Sequence, residues 1–295
     1  MMSWFSIQMN ISASRNDWKR DHKLVVPEDV RALYNIPYGL EGKYQWMDMY
    51  FPKGTRGKNP VIVSIHGGGY VYGTKEIYKH YCMFLAQQGF TVINFNYTLA
   101  PKKKFPGQLG EINMVMEWLA KNAGRYPIDL DRIFVVGDSA GAQLASHYCA
   151  IHTNPEFEAL YSFETPKRCK IRGVALNCGI YTLGGMDESG VPKEEVTGIA
   201  KDYLGTISIR DPRLQVLDAI TENFPPAYVM TSDFDFLKDA AKPMYEHLRS
   251  RGVEAEYRFY ESKKVELGHV FHCNMNLEEA KECNRDECRF FREHM

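Results

Sequence analysis

The chain has 295 residues and a formal net charge of −1, and its composition is 44% hydrophobic, 13% aromatic and 25% charged. That supplies a sizeable core at a length between one large domain and two small ones. The near-neutral balance without a long basic run gives no reason to expect a nucleic-acid partner, and no stretch approaches the roughly 18 uninterrupted apolar residues of a membrane span.

The first 23 residues, MMSWFSIQMNISASRNDWKRDHK, carry no apolar segment behind a basic start. They do not read as a signal peptide, so a cytoplasmic location is expected. The formal glycosylation acceptor at Asn10 then reads as chance. From about residue 44 short apolar runs alternate with helical stretches. Strands are expected at Pro60–Ile65, Phe90–Phe95, Arg132–Val136, Ile171–Leu176, Ala227–Thr231 and Glu254–Tyr260. Helices are expected over 76–88, 110–121, 139–151, 239–250 and 277–293. The alternation predicts an α/β fold: a mostly parallel central sheet with helices on both faces.

Two segments break the alternation, residues 1–40 and 181–224. Ordered loops of such length are rare without a function. They are expected to form a small cap over the carboxyl ends of the strands, where open α/β sheets bind ligands, all within one domain spanning 1–295. Lys102, Lys103 and Lys104 read as a solvated loop. The seven cysteines (Cys82, Cys149, Cys169, Cys178, Cys273, Cys283 and Cys288) are odd in number and include no C-x-x-C, so free thiols are expected.

The chemistry is concentrated in three places. Gly137-Asp138-Ser139-Ala140-Gly141 fits G-x-S-x-G between an expected strand and an expected helix, the strained turn that presents a nucleophilic serine in α/β hydrolases. His66-Gly67-Gly68-Gly69 ends the strand from Pro60. Its glycines let backbone N–H groups approach an oxyanion. A phosphate loop does not fit, because Tyr72 stands where the last glycine of G-x-G-x-x-G is needed.

A serine nucleophile needs a base, and the base needs an orienting acid. In this fold they follow the serine in the order acid, then histidine. His269, in Leu267-Gly268-His269-Val270-Phe271 before the last helix, is favoured as the base. His272 is its main competitor, while His247 lies within a helix and His294 at the terminus. The acid should follow the strand from Ala227. There Asp239 reads as a helix cap, and pattern alone does not separate Asp233 from Asp235.

These blocks resemble the hormone-sensitive-lipase-like group of α/β hydrolases, which holds many microbial carboxylesterases and acetyl esterases. The resemblance runs from about Met47 to Phe291. It includes His66 to Tyr70, Tyr97-Thr98-Leu99-Ala100-Pro101 with Phe105-Pro106, Asp131 to Gly141, and Pro225-Pro226 with Asp235 to Asp239. It implies that Asp235 is the acid, that His269 is the base, and that the backbone amides of Gly68, Gly69 and Ala140 form the oxyanion hole. It also implies that His66 is structural. Thr98 stands where the group usually has arginine, Phe236 where it has proline, and Val270 where it has glycine.

The expected activity is hydrolysis of short-chain carboxylic esters, acetyl to butyryl, through an acyl-enzyme on Ser139. Acetyl esters of sugars are one candidate substrate. No metal and no organic cofactor is expected, and the resemblance implies a homodimer through the last strand edge. An amidase of arylformamidase type on the same fold is the alternative. A non-catalytic receptor, like the gibberellin receptors that resemble the group but have lost the histidine, is disfavoured because Ser139, Asp235 and His269 are all present.

Overall fold

The computed structural model describes residues 2–183 and 198–295, so residues 184–197 of the expected cap lie outside the described residues. Its strands are β1 (Val30–Pro37), β2 (Trp46–Pro52), β3 (Asn59–Ile65), β4 (Thr91–Phe95), β5 (Ile128–Asp138), β6 (Ile171–Asn177), β7 (Ala227–Ser232) and β8 (Ala255–Tyr260). They form one sheet in the order β1-β2-β4-β3-β5-β6-β7-β8. The pairs from β4 to β8 are parallel, and β1 and β2 are added antiparallel at one edge. The helices among the described residues are α1 (Trp4–Asp21), α2 (Lys79–Gln87), α3 (Gly107–Asn122), α4 (Ala140–Thr153), α5 (Pro155–Glu158), α6 (Gly198–Leu204), α7 (Val216–Ala219), α8 (Lys238–Ser250) and α9 (Glu278–Glu293).

Each expected strand forms within a few residues of its reading, because a strand buried on both faces is a continuous apolar run. Along β3, Val61, Val63 and Ile65 join the core beneath α3, α4 and α8, while Ile62 joins the core beneath α2 and α9. Each fully buried aliphatic or aromatic side chain of this kind contributes roughly 1.5–3 kcal/mol. Two strands escaped the reading. Residues 30–37, assigned there to the cap segment, form the edge strand β1. Its partly exposed pattern is that of a one-sided strand, without a continuous apolar run. Strand β2 carries Asp48 in its middle, buried because Lys75 Nζ sits 2.9 Å from its carboxylate.

Thr98 leaves a cation to be found elsewhere. Glu111 on α3 is buried, and its carboxylate accepts from Thr98 Oγ1 at 2.8 Å and Gln45 Nε2 at 2.8 Å. Its positive partner is Lys103, with Nζ at 2.7 Å. Lys103 is thus partly withdrawn from the solvated loop in which the sequence placed it. Lys103→Met should lower stability by about 1–3 kcal/mol, the cost of an unpaired buried acceptor, whereas Lys102→Met should change it by less than about 0.5 kcal/mol. Urea denaturation of the two variants measures the difference.

Candidate active site

Strand β5 ends at Asp138, α4 begins at Ala140, and Ser139 alone makes the turn, with φ 53° and ψ −120°. A β-carbon on Gly137 would lie 2.2 Å from the Gly141 carbonyl oxygen, and one on Gly141 would lie 2.2 Å from that of Ile65. Only glycine fits at either place. The turn is held from the next strand, where Ser139 N–H donates to the Asn177 carbonyl at 2.9 Å. The half-buried serine stands at the amino end of a 14-residue helix, where the dipole favours negative charge.

The glycine-rich loop lies against this turn. A β-carbon on Gly67 would come within 2.6 Å of Asp138 Oδ2 and 3.2 Å of Ser139 Cβ. Tyr78 links the two, because its hydroxyl donates to Asp138 Oδ2 at 2.7 Å and accepts Gly67 N–H at 3.0 Å. Gly68, Gly69 and Tyr70 all have positive φ, at 100°, 59° and 66°. Among the described residues, the amides of Gly68, Gly69 and Ala140 donate to no protein acceptor. His66 is fully buried, stacked on Tyr97 at 4.1 Å, with Nδ1 2.8 Å from the Gly67 carbonyl. Burial lowers its pKa to about 4, so the ring is neutral and packs as the resemblance implied.

The loops after β7 and β8 run side by side through a bridge between Phe234 and Gly268. They bring Asp235 and His269 together, with Oδ1 and Nδ1 2.7 Å apart. Asp235 is buried and well supported. Thr231 Oγ1 donates to Oδ2 at 2.8 Å, and Leu237 N–H donates to Oδ1 at 2.9 Å. Burial alone would raise its pKa, but His269 and these donors outweigh it and hold the carboxyl below its usual range. Among the described residues no hydrogen bond joins the Ser139 hydroxyl to the His269 ring, and such bonds commonly tighten only when substrate binds.

The competing residues have other roles. His272 is buried with a pKa lowered to about 3 by that burial, packed on its edge against Tyr81. His247 Nε2 meets the Leu217 carbonyl at 2.9 Å, and His294 faces Glu254. Asp233 lies toward the surface and bonds to the Phe234 amide. Asp239 is not the cap of α8. The cap position falls on Leu237, whose N–H is taken by Asp235, and Asp239 sits exposed in the first turn.

Two of the departures from the family pattern sit at this site. Val270 has φ 55°, a left-handed geometry natural to glycine and strained for a β-branched residue. Phe236 is 75% exposed, and its ring lies 4.2 Å from the His269 ring. Sequence reasoning missed Thr231, Tyr78 and Asn177. Tyr78 and Asn177 act through contacts distant in the chain, and Thr231 bonds to Asp235 four residues on; no sequence pattern marks any of them.

Behind the serine turn lies a second buried carboxyl. Glu287 of α9 accepts from Asn177 Nδ2 at 2.6 Å and Tyr81 Oη at 3.0 Å. Burial still pushes its pKa up to about 7, and burial pushes that of Asp138 to about 6.

The chain matches a family model described as alpha/beta hydrolase fold over residues 62–273. It is 26% identical over 260 residues to an acetyl esterase of Salmonella schwarzengrund, covering 84% of this chain and 76% of that protein. Among solved structures it is similar to esterase B from Lactobacillus rhamnosis, with TM-score 0.85, 24% identity, and coverage of 98% of this chain and 94% of that one. It is also similar to an esterase of the bacterial hormone-sensitive lipase family, with TM-score 0.75, 21% identity, and coverage of 98% and 96%. Those two structural likenesses are of fold.

Asp235→Asn should keep the fold and lower kcat by roughly 10⁴-fold with little change in KM, the loss seen when a serine triad's acid no longer fixes the imidazole tautomer. Steady-state kinetics and circular dichroism check both parts. Glu287 gives a second expectation. Its native pKa lies above the unfolded value, so the folded state holds that proton more tightly. Its contribution is full below the unfolded pKa and declines as pH rises toward about 7. Denaturation at about pH 5 and about pH 8 should show the wild type losing more stability between them than Glu287→Gln does.

Proposed function

From the premise that the chain belongs to the α/β-hydrolase fold family, we propose that it is a serine carboxylesterase acting on short-chain esters through an acyl-enzyme. The observation that carries this reading is the Asp235–His269 pair, 2.7 Å between Oδ1 and Nδ1, in the same chain as a strained serine beside three unspent amides.

His269 takes the proton of the Ser139 hydroxyl as the oxygen attacks the ester carbonyl. Asp235 accepts from Nδ1, fixes the ring's tautomer and stabilises its charged form. The oxyanion forms against the N–H groups of Gly68, Gly69 and Ala140, each such donor contributing about 2.7–4 kcal/mol to the transition state. His269 then protonates the leaving alcohol, and water repeats the cycle to release the acid.

The short acyl range rests on what stands over the oxyanion loop. A β-carbon on Gly69 would meet Ile199 Cγ2 at 3.1 Å and Met9 Cε at 3.5 Å. These side chains come from α6 and α1, which are joined where Asp202 Oδ2 accepts from Ser3 N–H at 2.9 Å and Ser6 Oγ at 2.7 Å. We read α1 and α6 as parts of a cap on a single domain, one that narrows the space beside the oxyanion loop. The acetyl esterase relative points the same way, and acetylated sugars are the substrate class to try first. The open edge at β8 is where a homodimer would extend the sheet, and a cytoplasmic setting suits this reading.

Hydrolysis of p-nitrophenyl esters from acetyl to dodecanoyl tests the proposal. The rate should fall with acyl length, and Ser139→Ala should lower it by at least roughly 10⁴-fold. A fluorophosphonate should label the wild type and spare the variant. Faster decanoyl than acetyl turnover would overturn the short-acyl assignment. Label retained by Ser139→Ala would overturn the nucleophile.

A further inference from the structure

Cys178 is the residue the mechanism leaves unused. It follows β6, the strand between those that carry Ser139 and Asp235, and its positive φ of 47° turns the chain there. Its backbone N–H is fixed to the Met230 carbonyl at 2.8 Å. One ligand atom from each of Cys178, Asp235 and His269 lies within 4.8 Å of the others. Cys178 and Asp235 are buried, while the His269 side chain is 18% exposed and gives the cluster a face toward the site. The Tyr181 hydroxyl adjoins it. That oxygen is buried, has no hydrogen-bond partner among the described residues, and lies 2.3 Å from where a β-carbon on Gly179 would stand.

We propose that Cys178, Asp235 and His269 form an inhibitory site for a borderline-soft divalent cation of the Zn²⁺ class. The proposal rests on Asp235 and His269 being the acid and base of the esterase.

Thiolate, imidazole and carboxylate are the ligand set such cations take, at about 2.3 Å to sulfur and about 2.0 Å to nitrogen and oxygen. A tetrahedral site holds its ligand atoms roughly 3–4 Å apart, so Asp235 Oδ1 and His269 Nδ1, now 2.7 Å apart, must open slightly, and any pair near the 4.8 Å limit must close by about 1 Å. Side-chain rotation supplies a movement of that size. The charges balance: one thiolate and one carboxylate neutralise the ion, which suits a buried place.

The protons balance as well. The Cys178 thiol releases its proton to solvent. His269 gives up the proton on Nδ1 to bind the ion there and carries it on Nε2 instead. Asp235 remains ionised. With Nε2 protonated, the ring has no lone pair to accept the Ser139 proton, and acyl transfer stops.

The test uses Cd²⁺ and Zn²⁺ on the full chain. Cd²⁺ should produce an ultraviolet cadmium–thiolate charge-transfer band that Cys178→Ser lacks and His269→Ala weakens. Neither reading needs turnover, so the cation site is judged separately from the esterase assignment. Zn²⁺ should inhibit ester hydrolysis, a chelator should restore it, and Cys178→Ser should raise the inhibitory concentration by at least roughly tenfold. Equal Cd²⁺ bands in wild type and Cys178→Ser would overturn the proposal, as would equal Zn²⁺ sensitivity. If Cys178→Ser does not fold, an undiminished band in His269→Ala overturns it. Absence of ester hydrolysis in the metal-free protein, with the band still forming when Cd²⁺ is added, would overturn only the esterase reading.

Discussion

The structure turns on the backbone at Ser139. A residue with a β-carbon is held at φ 53°, in a region that costs of order 1–3 kcal/mol and persists only when its surroundings over-determine it. Here they do. Gly141 presses against the β3 carbonyls, Gly137 against Gly141, and the Ser139 amide is tied to β6. The turn therefore depends on strands β3, β5 and β6 lying side by side in this register. The apolar faces of those strands, sealed by α4 on one side and α9 on the other, supply the burial that offsets the strain.

The same turn organises a buried polar layer that an apolar core would ordinarily refuse. Asp138 and Glu287 are both shut away from water, and each remains tolerable because hydroxyl or amide donors converge on it. Tyr78 spans from Asp138 to Gly67, and Asn177 joins Glu287 with one atom and the serine amide with another. The glycine loop, the serine turn and α9 are thereby coupled. A group that leaves a donor unpaired in this layer costs far more than the pair contributes when made. Their positions are thus tied to one another, as the proposed oxyanion site would require.

How much of this was legible follows from where the information lies along the chain. The parallel strands and the helices on both faces were legible because each is written in its own few residues. So were the serine turn and the glycine loop, whose close approaches permit only glycine at Gly137 and Gly141. Choosing Asp235 over Asp233 was not legible from pattern. It depends on which carboxylate turns inward to Thr231 and His269, a matter of the fold around both loops. Strand β1 was hidden because an edge strand buries one face only. Lys103 looked like any lysine in a basic loop until Glu111 was placed beneath it.

The three departures from the family pattern show three ways a chain absorbs a substitution. At Thr98 the missing cation is supplied by Lys103, five residues on in the same loop, so the buried carboxylate stays paired. At Val270 no neighbour among the described residues compensates for the lost glycine, and the left-handed backbone is kept under strain, one residue from His269. Relief of that strain by moving the loop would also move the imidazole away from Asp235, so the hydrogen bond at 2.7 Å opposes relaxation. At Phe236 a large ring lies against the imidazole and reaches out to solvent. It covers one side of the imidazole with apolar surface, and with Asp235 on Nδ1 the ring is contacted from two directions.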